Sequence, residues 1–285
     1  MADVRGSGFN RREFLRTGSL GAAALCFGAS SPLFAEKPAD AYHGFKMGLQ
    51  SYTLRDFKDV KKALEATKSL GLKYWEAYPG HIPETTVPGT IAEQKKTLAD
   101  SGVTLLAYGV LDFDTDETKA RVHFDYAKAM GIETLSANPN KDKGTFDLLD
   151  KLVAEYGINI AIHNHGPGAF YDKIDDVVNI VKGRHARIGA CVDTGHYLRS
   201  SESPVEAIER LKGRVYGVHL KDVKNAKIFT IAGEGDLDIL GCLKALKAQN
   251  YKHSLALEYE ENASNPVPDL EVCLKNVRAA FEKLG

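Results

Sequence analysis

Eight times between residues 46 and 284 a short apolar run is followed by a stretch with helical periodicity, and this beat constrains the fold more than anything else in the chain. The runs predict strands at 46–52, 73–78, 103–108, 132–137, 158–163, 187–193, 214–221 and 253–259. The intervening stretches predict helices at 60–70, 91–101, 115–130, 146–156, 174–182, 204–211, 239–249 and 269–284. Gly71, Gly102, Gly131 and Gly157 stand just past the first four helices, where a left-handed residue ends a helix. Pro204 stands where the sixth begins, a position that suits its fixed φ. Strands that are apolar throughout, rather than alternating, belong to a parallel sheet covered on both faces. Eight such units in one unbroken stretch fit an α/β fold of the (β/α)8 TIM barrel type in number and size. No G-x-G-x-x-G follows the first strand, which argues against a doubly wound nucleotide-binding sheet.

The residues before this beat are of another kind. Arg11 and Arg12 precede a weakly apolar, glycine-rich stretch from Ser19, and Ala35 offers a small residue for cleavage. Residues 1–35 resemble a Tat-type signal, with a basic start, a short apolar centre and a cleavage site. The apolar part is too short to span a bilayer stably. The expectation is export by the Tat machinery to the periplasm, with no stable membrane anchor after cleavage. Residues 36–45 read as a linker, and 46–285 as one domain. The signal carries four basic and two acidic residues, so the remainder has a net charge of −3 against −1 for the whole chain. That balance offers no electrostatic footprint for nucleic acid. The four cysteines, Cys26, Cys191, Cys242 and Cys273, show no paired zinc-ribbon spacing.

In a barrel of this kind chemistry sits where strands end. The polar strand ends are Gln50, Glu76, Tyr108, Asn138, the pair His163 and His165, Asp193, His219 and Glu258. Side chains alternate along a strand, so His163 and His165 share one face and Asn164 takes the other. Strands five to eight end in imidazole, carboxylate, imidazole and carboxylate. His163, Asp193, His219 and Glu258 therefore form a candidate ligand set for one divalent ion, with Mn, Zn, Co or Fe all suited to such donors. Tat export of an already folded protein fits an enzyme that must load its ion in the cytoplasm.

These residues resemble the xylose isomerase-like TIM barrels, a family that includes sugar epimerases, inosose-processing enzymes and endonuclease IV. The resemblance covers nearly all of residues 46–284. Its marks are Val192-Asp193-Thr-Gly-His196, Val218-His219-Leu-Lys221-Asp222, Gly233-Glu234-Gly235-Asp236 and Leu257-Glu258. It implies a single metal held from strands five to eight, with Asp193, His219 and Glu258 in three of the four places. At the fifth strand the family has glutamate, whereas this chain has His163 in a His163-Asn164-His165 setting. In the epimerases that glutamate and the one matched here by Glu258 are the two proton-transfer groups, one on each face of the substrate.

The resemblance implies a sugar isomerase or epimerase that abstracts a proton next to a carbonyl, with Glu258 as base and His163 or His165 as its partner. Lys221 is a candidate to neutralise enediolate charge. Glu76, His196, Trp75, Tyr108 and Glu234 are candidates for contact with a small carbohydrate, as is Tyr78. Absence of a P-loop or arginine cluster points to neutral sugars. The missing glutamate keeps a second reading open, a lyase or hydratase acting on keto-sugars or keto-glycosides in the manner of inosose dehydratase. A third reading, a carbohydrate-binding protein without catalysis, predicts binding with no exchange of the substrate's α-proton.

Overall fold

A computed structural model of the protein describes residues 40–285. The expected signal at 1–35, with Cys26, and the first part of the expected linker lie outside the described residues. The eight apolar runs form β1 (Lys46–Gln50), β2 (Tyr74–Ala77), β3 (Thr104–Phe113), β4 (Thr134–Pro139), β5 (Asn159–His163), β6 (Ile188–Asp193), β7 (Val215–Leu220) and, after a hairpin of β8 (Asp222–Lys224) with β9 (Ile228–Thr230), β10 (Ser254–Leu257). The eight main strands close into an all-parallel barrel. β10 completes the ring by pairing with β1, from Lys46 opposite Ser254 to Leu49 opposite Leu257.

The helices follow their strands as α1 (Val60–Ser69), α2 (Pro88–Ser101), α3 (Glu117–Met130), α4 (Lys143–Tyr156), α5 (Ile174–Val181), α6 (Thr194–Arg199), α7 (Pro204–Arg210), α8 (Ile239–Ala248) and α9 (Val267–Glu282). Their apolar faces pack on the outside of the barrel. Trp75, between inward-facing neighbours, buries against α1 and donates from Nε1 to Thr67 Oγ1 at 2.7 Å. Tyr108 packs edge-on against Tyr126 of α3, and its hydroxyl donates to the Ile82 carbonyl at 2.9 Å. The end of the expected linker is docked rather than free. Asp40 accepts from the Tyr42 and Gly44 amides, and the Tyr42 and Phe45 rings lie 5.5 and 5.4 Å from Phe281 of α9.

Three elements carry no periodic signal and go beyond the sequence expectation: a 3-10 turn at Ser51–Leu54, the six-residue α6, and the β8–β9 hairpin. β3 also runs five residues past its expected end. At Gly109 a Cβ would stand 2.3 Å from the Ser136 carbonyl oxygen, so only glycine lets β3 continue beside β4. Cys191, Cys242 and Cys273 are free and buried. No helix among the described residues is long and apolar enough to cross a membrane.

Candidate metal centre

The strand ends are locked to one another before any ligand is considered. Asn164 faces away from His163, as alternation requires, and clasps the end of β6. Its Nδ2 donates to the Asp193 carbonyl at 2.9 Å and its Oδ1 accepts from the Asp193 amide at 2.8 Å. Asp193 caps α6, accepting the His196 amide on Oδ1 at 2.8 Å, which leaves Oδ2 for other work. Thr194 Oγ1 donates to the Lys221 carbonyl at 2.6 Å and accepts the Lys221 amide at 2.9 Å, tying β6 to the end of β7. Gly195 leaves room for Lys221, since a Cβ there would meet its Cγ at 2.8 Å.

Four donor atoms converge on one point. His163 Nε2 lies 3.0 Å from His219 Nδ1 and 3.4 Å from Asp193 Oδ2. His219 Nδ1 lies 3.8 Å from Asp193 Oδ2 and 3.1 Å from Glu258 Oε2. One ligand atom from each of the four residues falls within 4.8 Å of the others. Donors held about 2.0–2.2 Å from a common ion sit roughly 3–3.6 Å apart, so the cluster has the right scale. Asp193 Oδ2 and Glu258 Oε2 are buried and lack a hydrogen-bond partner, which is costly unless a cation claims them. The residues present fit a divalent ion.

Lys221 is the cation the structure itself supplies. It is 2% exposed, and its Nζ stands 3.0 Å from both of those oxygens, close in distance but outside hydrogen-bond alignment. It also reaches Glu260 Oε1 at 2.5 Å. Burial alone would lower the Lys221 ammonium, yet Asp193, Glu258 and Glu260 raise it above its ordinary value. Burial works against ionised Asp193 as well, but Lys221, His196 and His163 hold the carboxyl well below the usual range. For Glu258, Lys221 and His219 outweigh burial and bring it to about 2. The His219 imidazole is pushed down by burial and lifted well above its usual value by Cys191, Glu76 and Glu258. Burial pushes the Cys191 thiol up, so it stays uncharged. Burial lowers His165 to about 4 and His196 to about 3.

Above the cluster opens a cleft of about 390 Å³. Gln50, Tyr78, His163, His165, His196, Lys221 and Glu258 line it, so seven of the residues singled out in the sequence meet there. Asp193 and His219 are buried beneath. Glu76 does not reach the cleft; it lies one layer down, behind His219. Trp75 and Tyr108 face the helices, because the neighbours of an inward residue on a strand point outward. The substrate contact expected of these two is therefore replaced by packing. Glu234 is exposed and outside the cleft lining. Its loop is held by Asp222, whose carboxylate accepts the amides of Gly233, Gly235 and Leu237 at 2.9–3.0 Å, and Asp238 caps α8.

The cleft also contains Tyr52, Arg199, Phe229 and Glu260. Tyr52 and Tyr78 form an edge-to-face pair at 5.1 Å on one wall, and Phe229 carries the Arg199 guanidinium at 5.1 Å on another. Glu260 was detectable in sequence, two residues beyond Glu258 and on the same face. Tyr52, Arg199 and Phe229 belong to the three elements without a periodic signal and gave no comparable sign.

The chain matches the xylose isomerase-like TIM barrel family over residues 64–277. An inosose dehydratase of Clostridium botulinum (strain Alaska E43 / Type E3) is 32% identical over 155 residues, 47% of this chain and 51% of that protein. The chain thus spans about half the length of that curated relative. An inosose dehydratase of Clostridium perfringens (strain ATCC 13124) is 24% identical over 253 residues, 80% of this chain and 82% of that one. Among solved structures, the IolI protein with a bound zinc atom superimposes with a TM-score of 0.69 at 17% identity, covering 84% of this chain and 99% of that chain. At such identity the likeness speaks for the fold alone.

Proposed function

The chain belongs to the xylose isomerase-like TIM barrel family, and from that premise we propose a divalent-metal enzyme that eliminates a leaving group from a keto-sugar or keto-glycoside. The observation that carries this reading is the one-sidedness of the cleft. Its carboxylates, Glu258 and Glu260, follow one another at the end of β10, whereas β5 presents only imidazoles. Epimerisation through two faces needs a proton acceptor on one and a donor on the other. His165, lowered by burial to about 4, is neutral at working pH and a poor proton donor there. Elimination needs a single base. The relatives named inosose dehydratase support the same choice.

His163, Asp193, His219 and Glu258 would hold the ion, which when bound supplies Lewis-acid polarisation of the substrate carbonyl. Glu258 takes the proton from the carbon beside that carbonyl, and the electron pair moves onto the carbonyl oxygen. The Lys221 ammonium, beside Glu258, favours that developing charge. As the pair returns, the bond to the oxygen on the next carbon breaks. Protonated Glu258 hands its proton to the departing oxygen, so water or an alcohol leaves and the carboxylate is restored. Tyr52, Tyr78 and Phe229 give a sugar ring flat surfaces to rest on.

The test is incubation of metal-loaded protein with a panel of keto-sugars and keto-glycosides in D2O. Loss of the leaving group, abolished in Glu258→Gln, is the expected result. Deuterium exchange without such loss would mean isomerase or epimerase chemistry instead, and binding with neither would mean a carbohydrate-binding protein. The proposal extends to location: export by the Tat route with the ion already loaded, for which Arg11 and Arg12 are the motivating residues. Replacing both by lysine should retain the protein in the cytoplasm on cell fractionation, and an unchanged distribution would remove this part of the reading.

A further inference from the structure

One layer below the ligand set, β2 turns Glu76 into the barrel interior, where it is fully buried. Its carboxylate is held from two sides. Gln50, beside it in the β1–β2 register, donates from Nε2 to Oε1 at 3.0 Å. Oε2 lies 3.0 Å from His219 Nε2. Neither of these two atoms has a hydrogen-bond partner elsewhere, and they face each other close in distance without full alignment. The other group beside His219 is Cys191, a neutral thiol that offers only a weak acceptor.

His219 presents Nδ1 to the ligand cluster and Nε2 to Glu76. An imidazole that ligates through one nitrogen carries its proton on the other, and the acceptor facing that second nitrogen fixes the ring's tautomer and orientation. We propose that Glu76, braced by Gln50, is a positioning residue that holds His219 with Nδ1 toward the metal site and thereby sets the ion affinity of the centre. This rests on the metal reading above, and it gives Glu76 a structural task in place of the substrate contact the sequence suggested. The rival use of the same atoms is a second ion held by Glu76, Cys191 and His219, which also lie within reach of one another.

The experiment uses wild type, Glu76→Gln and Gln50→Leu, stripped with a chelator and titrated with Zn2+ in competition with a chromophoric chelator. Long-range 15N–1H spectra of the zinc-loaded imidazoles give a readout independent of activity. Wild type should bind one zinc with the His219 proton on Nε2. Glu76→Gln should bind about 10–100-fold more weakly, the usual effect of losing such a partner, and lose the single-tautomer signature. Gln50→Leu should shift both in the same direction by less, with the circular dichroism of all three unchanged. Affinity within twofold of wild type in Glu76→Gln, or two zinc ions per wild-type chain, overturns the proposal. If Glu76→Gln does not fold, Gln50→Leu decides, and unchanged affinity and tautomer overturn it. A wild type that takes up no zinc would instead remove the metal reading itself, and this inference with it.

Discussion

Lys221 shows what a single residue contributes to this site. It is a fully buried lysine whose ammonium is shared by Asp193, Glu258 and Glu260. Removing one partner from a buried ionic cluster leaves charge without compensation and costs about 3–5 kcal/mol. Lys221→Met should therefore lower the stability of the metal-free protein by that order in chemical denaturation. A divalent ion would then take over the neutralisation of Asp193 and Glu258, so saturating zinc should recover more stability in Lys221→Met than in wild type. Equal stabilisation of the two by zinc would mean that the ion and the ammonium do not serve the same oxygens. The sequence places Lys221 at the end of the seventh apolar run but does not show which way its side chain turns. What decides the matter is Gly195, whose missing Cβ lets the lysine stem turn inward, and no local pattern around residue 221 reports that.

At the scale of elements, the parts legible in the sequence are those built on period. The eight apolar runs and their helices formed close to their expected bounds because a buried parallel strand and a capped amphipathic helix each leave a repeating mark. The same regularity made His163, Asp193, His219 and Glu258 readable as a cluster, since strands five, six, seven and eight of such a barrel are neighbours. Elements of three to six residues have no room for a helical period, and the remaining short ones also lack the unbroken apolar run that marks a barrel strand. The 3-10 turn at Ser51–Leu54, α6 and the β8–β9 hairpin were missed for that reason, and with them Tyr52, Arg199 and Phe229. The misplacement of Trp75 and Tyr108 has a different cause. The sequence shows that β2 and β3 are apolar, but in a barrel with apolar inner and outer faces the pattern does not say which aromatic points where. Glu76 supplies the phase after the fact: it enters the interior, so Trp75 must leave it.

For the whole molecule, the buried imidazoles give the metal-free protein a defined response to pH. Burial lowers His165 to about 4 and His196 to about 3, and it lowers His81 and His253 below their ordinary value as well. A histidine depressed in the folded state is protonated more readily in the unfolded chain. Between pH 6.5 and about 4 the unfolded state therefore binds more protons, and stability must fall as the solution is acidified. With partial exposure discounted, the slope should be on the order of 1–2 kcal/mol per pH unit, each proton being worth about 1.4. His219 acts in the opposite sense. Its folded value is raised, so its contribution is fully present below pH 6.5 and is lost as pH rises through that higher value. Stability of the metal-free protein should thus peak near neutrality and fall on both sides. Urea denaturation from pH 4.5 to 9 checks both limbs. His165→Asn combined with His196→Asn should flatten the acid limb and leave the alkaline one. Zinc binding requires His219 to give up a proton, so saturating zinc should flatten the alkaline limb instead. An alkaline limb that zinc leaves unchanged would separate His219 from the ion.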